Sequence, residues 1–257
     1  MNDYLNKLAQ NDDEKRLIAK LNELVQKAVH GICGQSDFMD LRQQELARAV
    51  AVSDSGINWH LNGGYDEAER KRLLVSPEWE ADIDTRIAYL RISHKKFKDQ
   101  SIGHRDYLGA VLNLGIKREK LGDIVVQNDI AFLIMDIDLV DFICQQLSRV
   151  KHSSVLVEKI KKEEFIFTPP ELTIVQLTLA SLRLDAAIAG AFNLSRSGVE
   201  NMIGAGNVKL NQMEIYKSFA PVKNGDLISV QGLGRFRLEE IGGLSRKGRY
   251  RVQISRW

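Results

Sequence analysis

The sequence predicts an α+β protein built from several modules. Three observations lead there. Helical and strand periodicities alternate along one chain, the middle third runs in a β-α-β-β-α-β order, and 257 residues are more than one small core needs. At 44% hydrophobic and 27% charged, the composition supplies real cores, so disorder is expected only at the ends.

The first module spans 1–82. EKRLIAKLNELVQKAV places Leu17, Leu21, Leu24 and Val25 on one helical stripe, and DLRQQELARAVAVS offers Leu41, Leu46 and Val50 to a second helix, with Gly31 and Gly34 between them. INWHLNG (57–63) and RKRLLVSP (70–77) read as short strands joined by the turn-rich GGYDEAE, and Pro77 closes the module.

The second module spans 83–165. RIAYLRIS reads as a strand, HRDYLGAVLNLG as a helix, GDIVVQ and AFLIM as strands turning at Asn128-Asp129, DLVDFICQQLSRV as a helix and SSVLVEKI as a strand. That order is the split-βαβ, or ferredoxin-like, arrangement. It hosts many functions, RNA binding among them, and decides none. FIFTPPELTIVQ, with Pro169 and Pro170, predicts a linker over 166–180.

The third module spans 181–257. LRLDAAIAGAF aligns Leu184, Ile188 and Ala191 on one helix face, and SGVENMIG aligns Val199, Met202 and Ile203 on a second, stopped by Gly204 and Gly206. VKLN alternates Val208 and Leu210 inward with Lys209 and Asn211 outward. EIYKSF, DLISVQG, RFRLEEI and RYRVQIS are read as further strands, with a tight turn at Asn224-Gly225.

Charge is graded along the chain. Residues 1–85 carry 10 Lys+Arg against 16 Asp+Glu, 86–180 carry 14 against 12, and 181–257 carry 12 against 6, giving net charges of -6, +2 and +6. The basic end points to a polyanionic partner. Cys33 and Cys144 lie far apart without a Cys-x-x-Cys or a histidine pair, so neither a disulfide framework nor a metal site is expected. No apolar run reaches the roughly 20 residues of a membrane span, and the start lacks the layout of a secretory signal. A cytoplasmic protein with no membrane partner and no cofactor is expected.

The candidate site lies at the start of the two terminal helices. Arg183 and Asp185 flank the inward Leu184 and are expected to face away from the core. Ser195 or Ser197 can cap the second helix, Ser197 with Glu200 at capping-box spacing. A helix start exposes N–H groups with partial positive charge, and Arg196 beside it makes a phosphate site. Lys209 and Asn211 extend the surface, and Lys217 joins it. Ordinary structure accounts for the same residues differently: serine caps need no ligand, and Arg183 and Asp185 can pair with each other.

The run RLD...LSRSGVENMIGAGNVKLN...VKNGDLISV resembles the alpha-L RNA-binding motif, or S-four domain, through Arg183-Leu184-Asp185, Ser195-Arg196, Ile203, Gly206, Val208, Leu210-Asn211 and Gly225-Asp226 with Ile228 and Val230. Gln212 departs from it, because the family usually places glycine there. The resemblance implies an RNA surface of Arg183, Asp185, Ser195, Arg196, Ser197, Lys209 and Asn211 that reads the backbone and shape of structured RNA, with no DNA specificity. Upstream, GGYDEAERKRLLVSP and HRDYLGAVLNLGIKREKLGDI resemble the YlmH family of bacterial proteins. That resemblance implies binding to ribosomal RNA and tRNA on the large subunit, in quality control of stalled translation, and a gene neighbourhood linked to cell division. In that context His104, Arg105, Lys117, Arg118 and Lys120 form a candidate second RNA patch.

Enzyme signatures fail one by one. Arg183-Leu184-Asp185 opens a helix of the RNA module and cannot also be the aspartate loop of a pseudouridine synthase. His104-Arg105-Asp106 matches a kinase catalytic loop, but Val111 stands where the metal-binding Asn belongs. G-x-x-x-x-G-K-[ST] and G-x-G-x-x-G are absent, as are the HIGH and KMSKS signatures. His30, His60, His94, His104 and His152 are scattered. The expectation is a non-enzymatic RNA-binding protein without catalytic residues. The alternatives are an RNA-modifying activity using Asp106 or Asp123, and a cell-division scaffold contacted through the acidic first module.

Overall fold

The computed structural model describes residues 5, 7–80, 83–94, 102–127, 130–169 and 172–257. The turn expected at Asn128-Asp129 and Pro170 of the expected linker lie outside them. The architecture is α+β, and every strand pairing among the described residues is antiparallel. The chain divides into two compact units, Met1–Thr168 and Pro169–Trp257.

The first unit opens with helix α1 (Asp12–Val29). Asn11 caps it by accepting from the Glu14 N–H, and Asp12, Asp13 and Glu14 in the first turn with Lys27 in the last complement the helix dipole. Its buried stripe is Ile18, Leu21, Val25 and Ala28. Leu17 and Leu24, expected on that stripe, flank it partly buried. Strand β1 (Gly34–Gln35) is followed by helix α2 (Leu41–Ala51), which starts at a capping box between Asp40 and Gln43. Strands β2 (Ile57–Asn62) and β3 (Arg72–Pro77) complete a three-stranded sheet ordered β1-β3-β2.

Strand β4 (Ile87–His94), helix α3 (His104–Leu112), strands β5 (Leu121–Gln127) and β6 (Ile130–Asp136), helix α4 (Val140–Gln146) and strands β7 (Arg149–Val150) and β8 (Ser153–Ile160) follow. Their sheet runs β5-β6-β4-β8-β7. One face buries Leu90, Ile92, Leu133 and Met135 against Tyr107 and Val111 of α3 and Ile143 of α4. The other face is also apolar: Tyr89, Phe132, Ile134 and Ile160 pack with Phe38 and Tyr65 from the first 82 residues, and with Phe165. Residues 1–82 and 83–165, expected as separate modules, therefore share one unit. A sheet with two apolar faces must be covered twice, and the first 82 residues supply the second cover.

Two polar clusters fix that junction. The Arg72 guanidinium, 1% exposed, donates to the carbonyl oxygens of Ser36, Thr85 and Arg86 and to Asp136 Oδ2 at 2.9 Å, and lies 4.7 Å from the centroid of the Phe38 ring. Asp123 accepts from the Tyr65 hydroxyl at 2.9 Å and from the N–H groups of Glu69 at 2.7 Å and Arg70 at 3.1 Å. Burial first, and then the charge and hydrogen bond of Asp123, push the Tyr65 hydroxyl pKa far above its ordinary value, so it stays a neutral donor.

The second unit is a six-stranded sheet with two helices. Strand β9 (Thr173–Leu179) pairs along its whole length with β14 (Tyr250–Arg256). This corrects the linker expected over 166–180, since every residue of TIVQLTL pairs with β14 at the edge of the sheet. Helices α5 (Leu184–Phe192) and α6 (Arg196–Gly204) come next, then β10 (Val208–Leu210), β11 (Met213–Glu214), β12 (Leu227–Val230) and β13 (Gly234–Leu244), in the order β11-β10-β12-β13-β14-β9. Leu184, Ile188, Val199, Ile203, Phe236, Leu238, Val252 and Ile254 form its core. EIYKSF is not the strand expected. The strand ends at Glu214, the last bond to β10 is from the Ile215 N–H to the Val208 carbonyl at 3.2 Å, and the chain then turns back onto the start of α5.

Candidate nucleic-acid interface

Arg183 is the N-cap of α5. Its Nε donates to Asp185 Oδ1 at 3.0 Å and its Nη2 to Oδ2 at 2.8 Å, a bidentate pair. Asp185 is 1% exposed and also accepts from the Ala186 N–H. The outward placement expected of Asp185 is thus corrected. The chain after β11 folds over this helix start, with the Leu184 N–H donating to the Ala220 carbonyl at 2.9 Å and the Asp185 N–H to that of Ser218 at 3.0 Å. The cover buries the carboxylate, so Asp185 positions Arg183 and is withheld from a partner. It also occupies those α5 N–H groups.

Helix α6 differs. Ser195 is its N-cap, accepting from the Gly198 N–H at 3.2 Å, while Ser197 lies inside the first turn with its hydroxyl oxygen 3.3 Å from that of Ser195. Of the two candidate caps, Ser195 serves. Among the described residues no protein acceptor takes the N–H of Arg196 or Ser197, as expected for a first turn. Ser195, Arg196 and Ser197 are exposed, and Arg196 has no ion pair among the described residues. Lys209 is exposed on β10, in register with Glu214 and Ser229. Lys217 is exposed on the loop over α5.

Asn211 has a structural duty. At φ 51° its amide nitrogen donates to Asp226 Oδ1 at 2.9 Å and its amide oxygen accepts from the Leu227 N–H at 2.9 Å. Asn211 is exposed, on the outward side expected, and its amide is at the same time engaged within the unit. Gln212 follows at φ 69°, a left-handed conformation that costs a side-chain-bearing residue about 1 kcal/mol or more and glycine almost nothing. Gln212→Gly is expected to stabilise this unit by up to about 1 kcal/mol, offset in part by glycine's greater freedom when unfolded. An upward shift of the urea midpoint at constant slope would show it, and a downward shift would contradict it.

The second patch comes apart. His104 and Arg105 are exposed at the start of α3, and Lys117 is exposed beyond its end. Arg118 donates to the carbonyls of Leu121 and Gly122, and its burial, then the nearby Arg70 charge, lower its pKa to about 10. Lys120 pairs with Asp37 at 2.6 Å and approaches Asp136 at 3.8 Å. Both cations serve the packing of the first unit. This corrects the expected five-residue patch.

The carboxylates considered for an enzyme are also engaged. Asp106 accepts from the Gly103 N–H and pairs with Lys151 at 2.8 Å; the Lys151 bond first, then the Gly103 bond, hold its pKa below the ordinary carboxylate value. Asp123 holds the junction described above. No group of three or more His, Cys, Asp or Glu suited to a metal occurs among the described residues. Nor is any of their helices long and apolar enough to cross a membrane. Two residues that the sequence left unmarked belong to the site's surroundings: Tyr216 and Phe219, each 63% exposed on the loop that covers α5.

Fold and site thus define an α+β protein with a cationic helix start on the surface of its second unit. Residues 80–164 match the family model described as "Putative RNA-binding domain in YlmH". The chain is 34% identical over 225 residues, 86% of each sequence, to the "Ribosome-associated protein quality control protein P2" of Bacillus subtilis (strain 168). It belongs to the YlmH family. A solved structure described as "Cell division protein ylmH from Streptococcus pneumoniae" matches with a TM-score of 0.51 at 20% identity, over 62% of this chain and 98% of that one, a likeness of fold.

Proposed function

We propose that this chain is a non-enzymatic, cytoplasmic RNA-binding protein that recognises structured RNA, rRNA or tRNA, on the large ribosomal subunit during quality control of stalled translation. The carrying observation is Arg196, exposed and without an ion pair among the described residues at the first turn of α6, where its charge adds to the partial positive charge of N–H groups that no described protein acceptor takes. Arg183, held by the buried Asp185, and the exposed Lys209 and Lys217 add cations to the same unit. Ser197 offers a hydroxyl beside Arg196.

The helix pair followed by β10 and the Asn211–Asp226 contact supports reading 181–257 as an S-four domain. The strand and helix order of 83–165 supports a ferredoxin-like domain, preceded by the α+β region 1–82. In the middle domain His104, Arg105 and Lys117 remain candidates for a further RNA contact. Engagement of Asp106 and Asp123 in structural bonds speaks against the RNA-modifying alternative. The relative from Bacillus subtilis, named for ribosome-associated quality control, supports the choice of partner.

Cation–phosphate contacts release condensed counterions, so about three of them should lower affinity roughly tenfold or more between about 50 and about 200 mM salt. Titrating the protein against ribosomal RNA and tRNA across that range tests the reading, and an affinity independent of salt would sink it. Co-sedimentation with large subunits at low salt tests the proposed partner.

A further inference from the structure

Beyond phosphate contacts, we propose that the loop 215–221 is a stacking platform: Tyr216 and Phe219 receive unpaired bases of the RNA bound at α6. The proposal rests on the RNA reading above and adds to it a class of target, structured RNA carrying an unpaired nucleotide beside its paired stem.

Both rings are 63% exposed and stand three positions apart on one loop, with the exposed cation Lys217 between them. Single exposed apolar residues are ordinary; two aromatic rings on a held loop are a different matter. The Ala220 N–H donates to the Lys217 carbonyl at 3.1 Å and the Val222 N–H to that of Leu182 at 3.1 Å, in addition to the two bonds from α5. Arg183 and Pro221 also form a β-bridge.

Tyr216 is held as well. Its hydroxyl donates to Glu214 at 3.0 Å, and its ring edge lies so near the turn that a Cβ at Gly206, φ 75°, would come within 3.3 Å. An ordered loop loses little entropy on binding, and a planar ring is the side chain that stacks on a base of any identity. Charge decides the occupant. The unit carries net +6 over 181–257, so a nucleobase attached to phosphate suits this surface better than an apolar protein face.

The test uses the full-length protein and two probes: an RNA hairpin with a bulged 2-aminopurine, and the same stem fully paired. Tyr216→Ala and Phe219→Ala are each expected to weaken binding of the bulged hairpin about five- to hundredfold, leave its salt dependence unchanged, and abolish the fluorescence change on binding. Binding of the paired stem should not move. Tyr216→Phe, which keeps the ring and loses only the Glu214 bond, should retain the fluorescence change and most of the affinity, and unchanged melting curves confirm that the variants fold.

Wild-type affinity of both alanine variants for the bulged probe would overturn the platform and assign the rings to a protein contact. Equal losses on both probes would overturn it too. In either case the RNA reading stands if Arg196→Glu still weakens binding; failure of the wild type to bind either probe would instead sink that reading.

Discussion

Replacing Asp136 with alanine is expected to destabilise the first unit by about 3–5 kcal/mol, the usual cost of removing one partner from a buried ion pair. Arg72 has no water to fall back on: its guanidinium is 1% exposed and would stay charged among Phe38 and three carbonyl oxygens. Removing both charges, as Arg72→Met with Asp136→Leu, should recover only part of the loss. The carbonyls of Ser36, Thr85 and Arg86 would then be left without their donor.

The effect should be confined to one unit. Hydrogen exchange would rise across 72–77 and 130–136 and stay unchanged across 208–256, and a loss below about 1 kcal/mol would contradict this account. The pair also sets an acid limit. Burial pushes the Asp136 carboxyl pKa up, but the bonds from Arg72 and the Asp138 N–H, with the charges of Arg72 and Lys120, outweigh it and hold the pKa below its ordinary value. Because the folded pKa is depressed, the stabilisation is present above the unfolded value of about 3.9 and is lost as pH falls through the folded one. Acid unfolding of the unit should therefore lose its Asp136 component in an Asp136→Asn variant.

Arg196→Glu is expected to give the largest loss of RNA affinity of any single charge change on the surface, about tenfold or more at low salt, with a shallower salt dependence. The substitution removes a cation and places an anion where phosphate would sit. Stability should not suffer, since the side chain is exposed and a carboxylate in a first helical turn interacts favourably with the helix dipole. A filter-binding titration reads the affinity and a melting curve checks the fold. Wild-type affinity for structured RNA would move the site away from α6. Lys209→Glu should give a smaller loss in the same direction, because Lys209 stands on the strand after the helix and is already opposed by Glu214 in register.

Much of the site's frame was legible in local pattern. A serine caps α6, with the structure choosing Ser195 over Ser197, Gly204 ends it and Gly206 takes φ 75°, all functions of a residue's own chemistry and its nearest neighbours. The exposure of Arg196 follows from helical spacing too, since Val199 and Ile203 set the buried face. The burial of Asp185 is not visible in local pattern, because what buries it is a loop more than 30 positions later, brought back by carbonyls of Ser218 and Ala220. The same loop hid Tyr216 and Phe219. Read as a strand, EIYKSF would put them on opposite faces; as an ordered turn it displays both on the surface.

By itself, then, the amino-acid order determined the helices, most strands and the basic character of the last unit, because periodicity, caps and turn residues act over a few neighbours. Tertiary structure alone decided three things: that the middle sheet is apolar on both faces and joins 1–82 to 83–165, that TIVQLTL is a strand, and which cations stay on the surface. Arg72 meets Asp136 across 64 positions and Lys120 meets Asp37 across 83. A local pattern shows that such a residue carries charge; only the folded chain decides whether that charge meets a partner inside the protein or faces outward.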